Sequence, residues 1–171
     1  MAFTASAIFS QSLKNPLLGS ASGTSNVTLP TGYSATGGLL TDTIKVAVFG
    51  NTGTPNRDDT MANIGYNTGQ WVTGNEITGT NWAAGGQTLG TKVFTTDLGG
   101  NVGLSFDAAD VSVNTVTLTA FYGDLTYDSS ITAGTVASQG YCYHYYGGSQ
   151  TVTAGNITII WDVTGVFRFT V

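Results

Sequence analysis

The residues best suited to chemistry are the single cysteine and the single histidine of the chain, Cys142 and His144, which lie two positions apart in a tyrosine-rich run. Alternate side chains of a strand share a face, so this spacing places Cys142, His144 and Tyr146 together. A cysteine beside a histidine could form a nucleophile with its general base. Such a pair also needs an orienting acid and an oxyanion donor, and the neighbouring sequence supplies neither. We therefore expect a packed face, no catalytic residue, and a protein that is not an enzyme.

Metal binding has as little support in the sequence. A zinc site usually takes four ligands, and one cysteine with one histidine leaves two to be found among carboxylates of no characteristic spacing. Calcium could use Asp107 with Asp110, or Asp124 with Asp128, but short aspartate spacings in a glycine-rich chain are more typical of turns. The phosphate-loop, serine-hydrolase and zinc-protease motifs do not occur. The expectation is a protein without a metal or a cofactor.

The other face of the same run carries three tyrosines, Tyr141, Tyr143 and Tyr145. An exposed tyrosine offers a rigid apolar ring with a polar tip, which suits contact with a protein or a carbohydrate. The alternative is a strand whose tyrosines line the core. The sequence alone leaves both interpretations open.

Composition restricts the classes of partner. The chain has 171 residues, enough for one domain with a sizeable core, and 9% of them are charged, with a net charge of −5. The basic residues are scattered rather than clustered as nucleic-acid binding requires; they are Lys14, Lys45, Arg57, Lys92 and Arg168. The N-terminal residues do not resemble a secretory signal, and no apolar stretch is long enough to span a membrane. We expect a protein folded in a cytoplasm that binds neither nucleic acid nor membrane.

Alternation of apolar and polar residues dominates the chain from about residue 43 onward, and glycine, asparagine and aspartate recur at turn spacing. This pattern predicts an all-β fold, a single β-sandwich or barrel-like domain. The clearest predicted strands are residues 43–49, 92–97, 102–106, 114–122, 141–146, 151–153, 157–161 and 166–171. Residues 98–101 and 162–165 are predicted to be hairpin turns between the strands on either side.

The faces of these strands predict the core. The strand at 114–122 has an apolar face and a threonine face, so we expect one side to be buried and the other to lie in solvent or in an interface. Its apolar face comprises Val116, Leu118, Ala120 and Tyr122. The last two strands contribute six further predicted core residues, Ile157, Ile159, Trp161, Phe167, Phe169 and Val171.

Two regions fall outside this regular pattern. Residues 50–90 form a long glycine- and asparagine-rich loop region, in which Trp71 and Trp82 are predicted to clamp the chain. Residues 1–40 are predicted to be an extended N-terminal arm and residues 41–171 the β domain, because the serine-, threonine- and glycine-rich run before residue 40 has little core-forming capacity. The apolar residues of the arm are candidates for docking on a partner: Phe3, Ile8, Phe9, Leu13, Leu17 and Leu18.

Four stretches of the chain resemble a family of small virion proteins of tailed bacteriophages, frequent in phages of actinobacteria. They are residues 41–48 (TDTIKVAV), 75–89 (NEITGTNWAAGGQTL), 106–111 (FDAADV) and 156–167 (NITIIWDVTGVF). The family pattern is a strand of the type DTIKVAL, a loop NE-[VI]-x-G-x-x-Y-x-A-G-G-x-x-L, a D-A-x-D-V corner and a C-terminal hairpin F-x-I-x-W-D-x-x-G-[IV]. The order and spacing are similar here, with Trp82 where the family usually has tyrosine.

The resemblance implies a structural protein of the virion, assembled in the host bacterial cytoplasm and exposed on the particle surface. It favours a capsid decoration or cement protein that binds the major capsid protein on the outside of the head and self-associates as a homo-oligomer, for instance a trimer. The alternative is a tail or fibre component that serves as a host-surface-binding module. The motif residues themselves are expected to be scaffold: a tight turn at Gly85 and Gly86, a cover at Trp82, and turn-closing carboxylates at Asp107 and Asp110.

Overall fold

The computed structural model describes residues 3–10, 39–97, 102–132 and 137–170. Eight strands run through these residues: β1 (Ala7–Ile8), β2 (Ile44–Phe49), β3 (Gln87–Thr88), β4 (Val93–Asp97), β5 (Val102–Asp107), β6 (Val111–Asp128), β7 (Gly140–Ile159) and β8 (Phe167–Thr170). A short 3-10 helix, Met61–Asn63, lies between β2 and β3. No helix in the described part of the chain is long and apolar enough to cross a membrane.

The strands form two antiparallel sheets. The larger has the order β1-β7-β6-β2-β3, and the smaller has the order β4-β5-β8. A first hydrophobic core lies between them, with Val46 contributed by the larger sheet and Phe106 and Phe167 by the smaller one. The predicted all-β fold is therefore confirmed as a sandwich-like arrangement of two sheets.

The larger sheet has a core on each of its faces. Along β2, Val46 and Val48 belong to the first core, whereas Ala47 and Phe49 belong to a second core on the opposite side. The run IKVAVF is apolar at five of its six positions, which is typical of a strand that is covered on both faces. The larger sheet is consequently the middle layer of the molecule.

The second core is covered by segments outside the sheets. Trp71 lies at its centre, with its ring centroid 5.1 Å from that of Phe49 and 5.9 Å from that of Phe9. Trp82, from the same irregular region, is fully buried in the first core. The prediction that these two tryptophans clamp residues 50–90 onto the domain is confirmed.

The first described residues belong to the β domain, which corrects the boundary predicted at residue 40. Strand β1 pairs with β7, and Phe3 and Phe9 are buried in the second core while Ile8 packs against the first. The burial of two aromatic rings and the strand pairing offset the entropy cost of ordering this segment. The prediction that Phe3 and Phe9 dock on a partner is therefore wrong, because the chain itself covers both rings. The remaining arm candidates, Leu13, Leu17 and Leu18, lie outside the described residues.

Several predicted strands are parts of two long ones. The predicted strand 114–122 lies inside β6, and the predicted strands from 141 to 161 merge into β7. Their ladder continues from Val111 opposite Ile159 to Tyr127 opposite Gly140, with several register shifts. Glycines within β7 indicated breaks in the sequence pattern, but a strand tolerates glycine at such irregularities.

One of these irregularities changes the predicted core. Ala120 has a φ of +55° and is exposed, and Phe121 is buried in its place. Val116 and Leu118 are buried as predicted, whereas Tyr122 is half-buried against the second core. The register shift between Leu118 and Phe121 exchanges the two faces of β6, which simple alternation did not predict.

The predicted turn at residues 162–165 is present but does not close a hairpin. The Gly165 N–H donates to the Asp162 carbonyl at 2.8 Å. However, β7 belongs to the larger sheet and β8 pairs with β5 in the smaller one. The turn therefore carries the chain from one sheet to the other.

The core residues predicted on either side of this turn are mostly confirmed. Ile157, Ile159, Trp161 and Phe167 are buried, and Phe169 packs against the first core. Val171 lies outside the described residues. Residues 98–101 also lie outside, although β4 and β5 pair on either side of them as expected.

Candidate functional site

The tyrosine-rich segment of β7 is largely core. Tyr141 is buried and packs against Phe167 of the smaller sheet, and Tyr143 is buried in the second core. Tyr145 is half-buried, with its ring stacked on Phe3 at a centroid distance of 6.5 Å. The contact-strand interpretation is therefore wrong for Tyr141 and Tyr143, because the chain's own residues already cover both rings.

The side of this segment that faces the first core, where Tyr141 also lies, carries a buried polar network. Cys142, His144 and Tyr146 share that face, as their spacing predicts. In the pairing of β6 with β7, His144 lies directly opposite Asp124, whose side chain has no exposed surface. Asp124 Oδ1 is 2.8 Å from His144 Nδ1, and the Tyr146 hydroxyl donates to Asp124 Oδ2 over 2.6 Å. An orienting acid is therefore present after all, on the neighbouring strand.

This network has the residues of a Cys-His-Asp triad but not its hydrogen-bond arrangement. The Cys142 Sγ atom is 3.9 Å from His144 Nε2, whereas the Val166 carbonyl oxygen is 2.9 Å from the same nitrogen. A carbonyl oxygen only accepts, so Nε2 carries a proton and has no lone pair to offer the thiol. General-base activation needs that lone pair, and Cys142 is itself 1% exposed. The arrangement holds a histidine in place and does not present a nucleophile.

The electrostatics of the network depend on the buried carboxylate. Burial by itself lowers the pKa of His144, but the Asp124 carboxylate, with a further contribution from Cys142, outweighs this effect and holds that pKa well above its ordinary value of 6.5. Burial raises the pKa of Tyr146 well above 10, and Asp124 adds to the rise. Tyr146 therefore remains a hydrogen-bond donor at physiological pH.

The four aspartates considered as calcium ligands have two different roles. Asp107 accepts the next backbone N–H at 2.8 Å and closes a turn, as predicted, whereas Asp110 accepts the N–H of the distant Trp161 at 3.0 Å and fixes the corner to the residues after β7. Asp128, the last residue of β6, accepts the Ser130 N–H at 2.8 Å and so closes a turn as predicted, whereas Asp124 lies inside β6 and the turn interpretation is wrong for it. In the described ranges, no three or more histidine, cysteine, aspartate or glutamate side chains are grouped to hold a metal ion.

A second polar cluster fixes the glycine-rich loop to the larger sheet. Glu76 accepts the Gly85 backbone N–H at 2.8 Å and the Tyr66 hydroxyl at 2.7 Å, and the Tyr127 hydroxyl donates to the Gly85 carbonyl at 2.9 Å. At Gly86 the φ is +66°, and a Cβ would lie 1.9 Å from a backbone oxygen of β2. The structure thus gives Gly85 and Gly86 the positional role that the sequence indicated.

An accessible surface without a charged side chain lies on the other half of the same two long strands. We name residues 111–121 of β6 and 150–159 of β7 the distal ribbon, and residues 123–128 and 140–146 the proximal ribbon. The distal ribbon contains no aspartate, glutamate, lysine or arginine. Its exposed polar side chains carry hydroxyl or amide groups: Ser112, Asn114, Thr115, Thr119, Gln150, Thr151, Thr153, Asn156 and Thr158.

The outer edge of the distal ribbon is open. Strand β1 pairs with β7 only as far as Tyr143, and the described residues place no strand against β7 beyond that point. An open groove of about 550 Å³ lies there, with Phe121, Tyr146, Val152 and Ile157 among its lining residues. This surface offers backbone hydrogen-bonding groups, hydroxyls and apolar side chains without a fixed charge.

Sequence reasoning missed Asp124 as the partner of His144. The two residues are 20 positions apart on different strands. The available signal was a carboxylate within the largely apolar run GDLTY, because a buried carboxylate requires a cationic or hydrogen-bonding partner. Identifying that partner required the pairing register of β6 with β7, which the register shifts conceal.

Comparisons of the chain with protein-family models, curated proteins and solved structures found no match. By its fold, the chain is an all-β domain of two antiparallel sheets.

Proposed function

We propose that this chain is a non-enzymatic structural protein of a bacteriophage virion, a decoration protein that binds the outside of the head and stabilises it. The observation that carries the proposal is the distal ribbon, an accessible surface without a charged side chain in a chain of net charge −5. The resemblance of four stretches to small phage virion proteins suggests the kind of particle.

An uncharged polar surface suits burial against another protein. An ionised side chain loses its hydration when an interface closes, which is costly unless the charge is paired in the complex. Hydroxyl and amide groups lose less hydration free energy on burial, and they can form hydrogen bonds with backbone groups of the partner. The cores of protein interfaces are depleted in charged residues for this reason.

The open edge of β7 adds a second means of attachment. Exposed edge strands commonly carry lysine or proline, which discourage pairing with another chain, and residues 147–160 contain neither. A strand of the capsid protein could therefore hydrogen-bond along this edge. Each such contact can be weak. Many copies bind to one shell and to each other, so the attachment is multivalent and strong as a whole.

The four family-like stretches lie in elements that build the scaffold. Residues 41–48 include most of β2, residues 75–89 include the buried Trp82, and residues 156–167 cross from one sheet to the other. Residues 106–111 form a corner in which Asp107 closes a turn and Asp110 accepts the Trp161 N–H. The resemblance therefore concerns the architecture of the domain, and it supports the virion role through that architecture.

The first experiment is a count of copies in purified virions by quantitative mass spectrometry. A decoration protein is expected in hundreds of copies, on the order of the number of capsid protein chains. A handful of copies would instead favour the tail or fibre component. Absence from purified virions would contradict the proposal in every form.

A second experiment tests the surface. We expect Thr119→Lys or Thr153→Lys to weaken attachment to undecorated heads by about tenfold or more, because an unpaired charge is then buried in the contact. Thr52→Lys, which adds the same charge at an exposed position away from the ribbon, is the matched control and should bind normally. Equal binding by all three variants would exclude the distal ribbon as the attachment surface.

A further inference from the structure

Both ring nitrogens of His144 face hydrogen-bond acceptors. Nδ1 lies 2.8 Å from Asp124 Oδ1, and Nε2 lies 2.9 Å from the Val166 carbonyl oxygen. The other oxygen of Asp124 accepts the Tyr146 hydroxyl at 2.6 Å. A neutral imidazole has one N–H, so it satisfies one of the two acceptors with its own proton, whereas an imidazolium satisfies both.

The partners of His144 belong to different sheets. Asp124 and His144 are paired residues of β6 and β7 in the larger sheet. Val166 immediately precedes β8, and its N–H donates to Phe106 of β5 over 2.8 Å, so its peptide is attached to the smaller sheet. The hydrogen bond from His144 to Val166 is therefore a polar link between the two layers, in a region otherwise held by apolar packing.

We propose that His144 is a protonated imidazolium in the folded protein and acts as a clasp between the two sheets that loosens when the proton is lost. After deprotonation the buried Asp124 carboxylate loses its counter-charge. One of the two acceptors also loses its donor, because the neutral ring has a single N–H left. A buried acceptor without a partner and an unpaired buried charge both destabilise the folded state.

The titratable and charged groups around His144 are few. From β6 it faces Asp124, and from its own strand it faces Cys142, while Tyr146 of that strand bonds to the other oxygen of Asp124. From β8, Arg168 lines the same open groove as the exposed 23% of the His144 side chain. Ser6 and the β1 residues Ala7 and Ile8, which also line that groove, contribute no titratable side chain. Trp161, whose ring centroid is 5.6 Å from that of His144, contributes none either.

The sign of the expected pH dependence follows from the direction of the pKa shift. The pKa of His144 in the folded state lies above its ordinary value of 6.5. The stabilisation is therefore complete below about pH 6.5 and is lost as the pH rises through the folded-state pKa. The protein should become less stable in mildly alkaline solution, before Tyr146 ionises.

Nitrogen NMR of the histidine-labelled wild-type protein tests the protonation state directly, and the single histidine makes the assignment unambiguous. We expect both ring nitrogens to show the protonated, imidazolium shift at about pH 7.5, with a titration midpoint above 6.5. A neutral tautomer at that pH, or a midpoint at or below 6.5, would overturn the proposal. This measurement needs no variant and does not depend on the proposed virion role.

Thermal unfolding then tests the clasp. The melting temperature of the wild-type protein should fall between pH 6.5 and about pH 9, whereas His144→Gln should lose most of that dependence. Cys142→Ala removes the neighbouring thiol and leaves Asp124 and Val166 in place, so it should keep a pH-dependent melting temperature, displaced toward lower pH because the thiol also raises the pKa of His144. An unchanged slope in a folded His144→Gln variant, or loss of the slope in Cys142→Ala, would contradict the assignment to His144.

Discussion

The proximal and distal ribbons belong to the same two strands, yet they differ in what covers them. Every residue of β6 from 123 to 128 is buried, whereas burial alternates with exposure over much of 111–120. Trp71, Phe3 and Phe9 cover the second face of the proximal ribbon. The distal ribbon is covered on one face, by the first core. Segments outside the sheets therefore decide which half of a strand pair becomes scaffold.

The side chains differ accordingly. On the face that the second core covers, the proximal ribbon carries Leu125, Tyr127 and Tyr143. The distal ribbon carries threonine and asparagine where its side chains are exposed, among them Thr119 and Thr153. Of the two ribbons, only the proximal one carries carboxylates. These are Asp124 and Asp128, and both are buried and hydrogen-bonded. The exposed surface of hydroxyl and amide groups is thus separated from the half that the second core closes.

Trp71→Ala should give the largest effect in this comparison. Trp71 is fully buried, and its indole N–H has no hydrogen-bond partner among the described residues, so the loss is one of packing. Truncation of a large buried aromatic side chain costs about 3–5 kcal/mol, and we expect the free energy of unfolding to fall by that amount. Denaturant unfolding with an unchanged m value measures it.

The control for this variant is Ile160→Ala, next to the distal ribbon, where the side chain is 73% exposed. It should change the free energy of unfolding by less than about 0.5 kcal/mol. Similar losses for both variants would remove the distinction between the two halves. A loss below about 1 kcal/mol for Trp71→Ala would mean that the second core contributes little.

A smaller effect of opposite sign is expected at Thr126 in the proximal ribbon. Its hydroxyl is buried and has no hydrogen-bond partner in the described part of the chain. Thr126→Val keeps the branched shape and removes the unpaired hydroxyl, so it should stabilise the protein by about 1 kcal/mol. Thr119→Val in the distal ribbon, where the side chain is exposed, should stay within about 0.5 kcal/mol. Destabilisation by Thr126→Val would show that the hydroxyl is paired in solution.

Much of the fold could be predicted from local pattern. The period-two alternation located strands such as β2 and β5 to within a residue or two, and Trp71 and Trp82 indicated how the irregular region is held. The merging of four predicted strands into β6 and β7 was not predictable, because glycines and register shifts interrupt the alternation. The second core was not predictable either, because the segments that cover it are distant in sequence from the strands that they cover.

The candidate site shows the same limit. The spacing of Cys142, His144 and Tyr146 correctly predicted a shared face, because that relation is local to one strand. Asp124 and the Val166 carbonyl come from other strands, and no local pattern identifies them as partners of His144. The same is true of Phe3 and Phe9, whose apolar character fits a docking arm as well as a core.

Hydrogen exchange, measured by mass spectrometry on the free protein and on protein bound to undecorated heads, tests the division between the two ribbons most directly. In the free protein, backbone amides of 123–128 and 140–146 should exchange more slowly than those of 150–158, because a second core covers them. On binding, protection should increase in the distal ribbon and stay unchanged in the proximal one. The contradicting result would be unchanged exchange in the distal ribbon on binding, with the added protection in other segments.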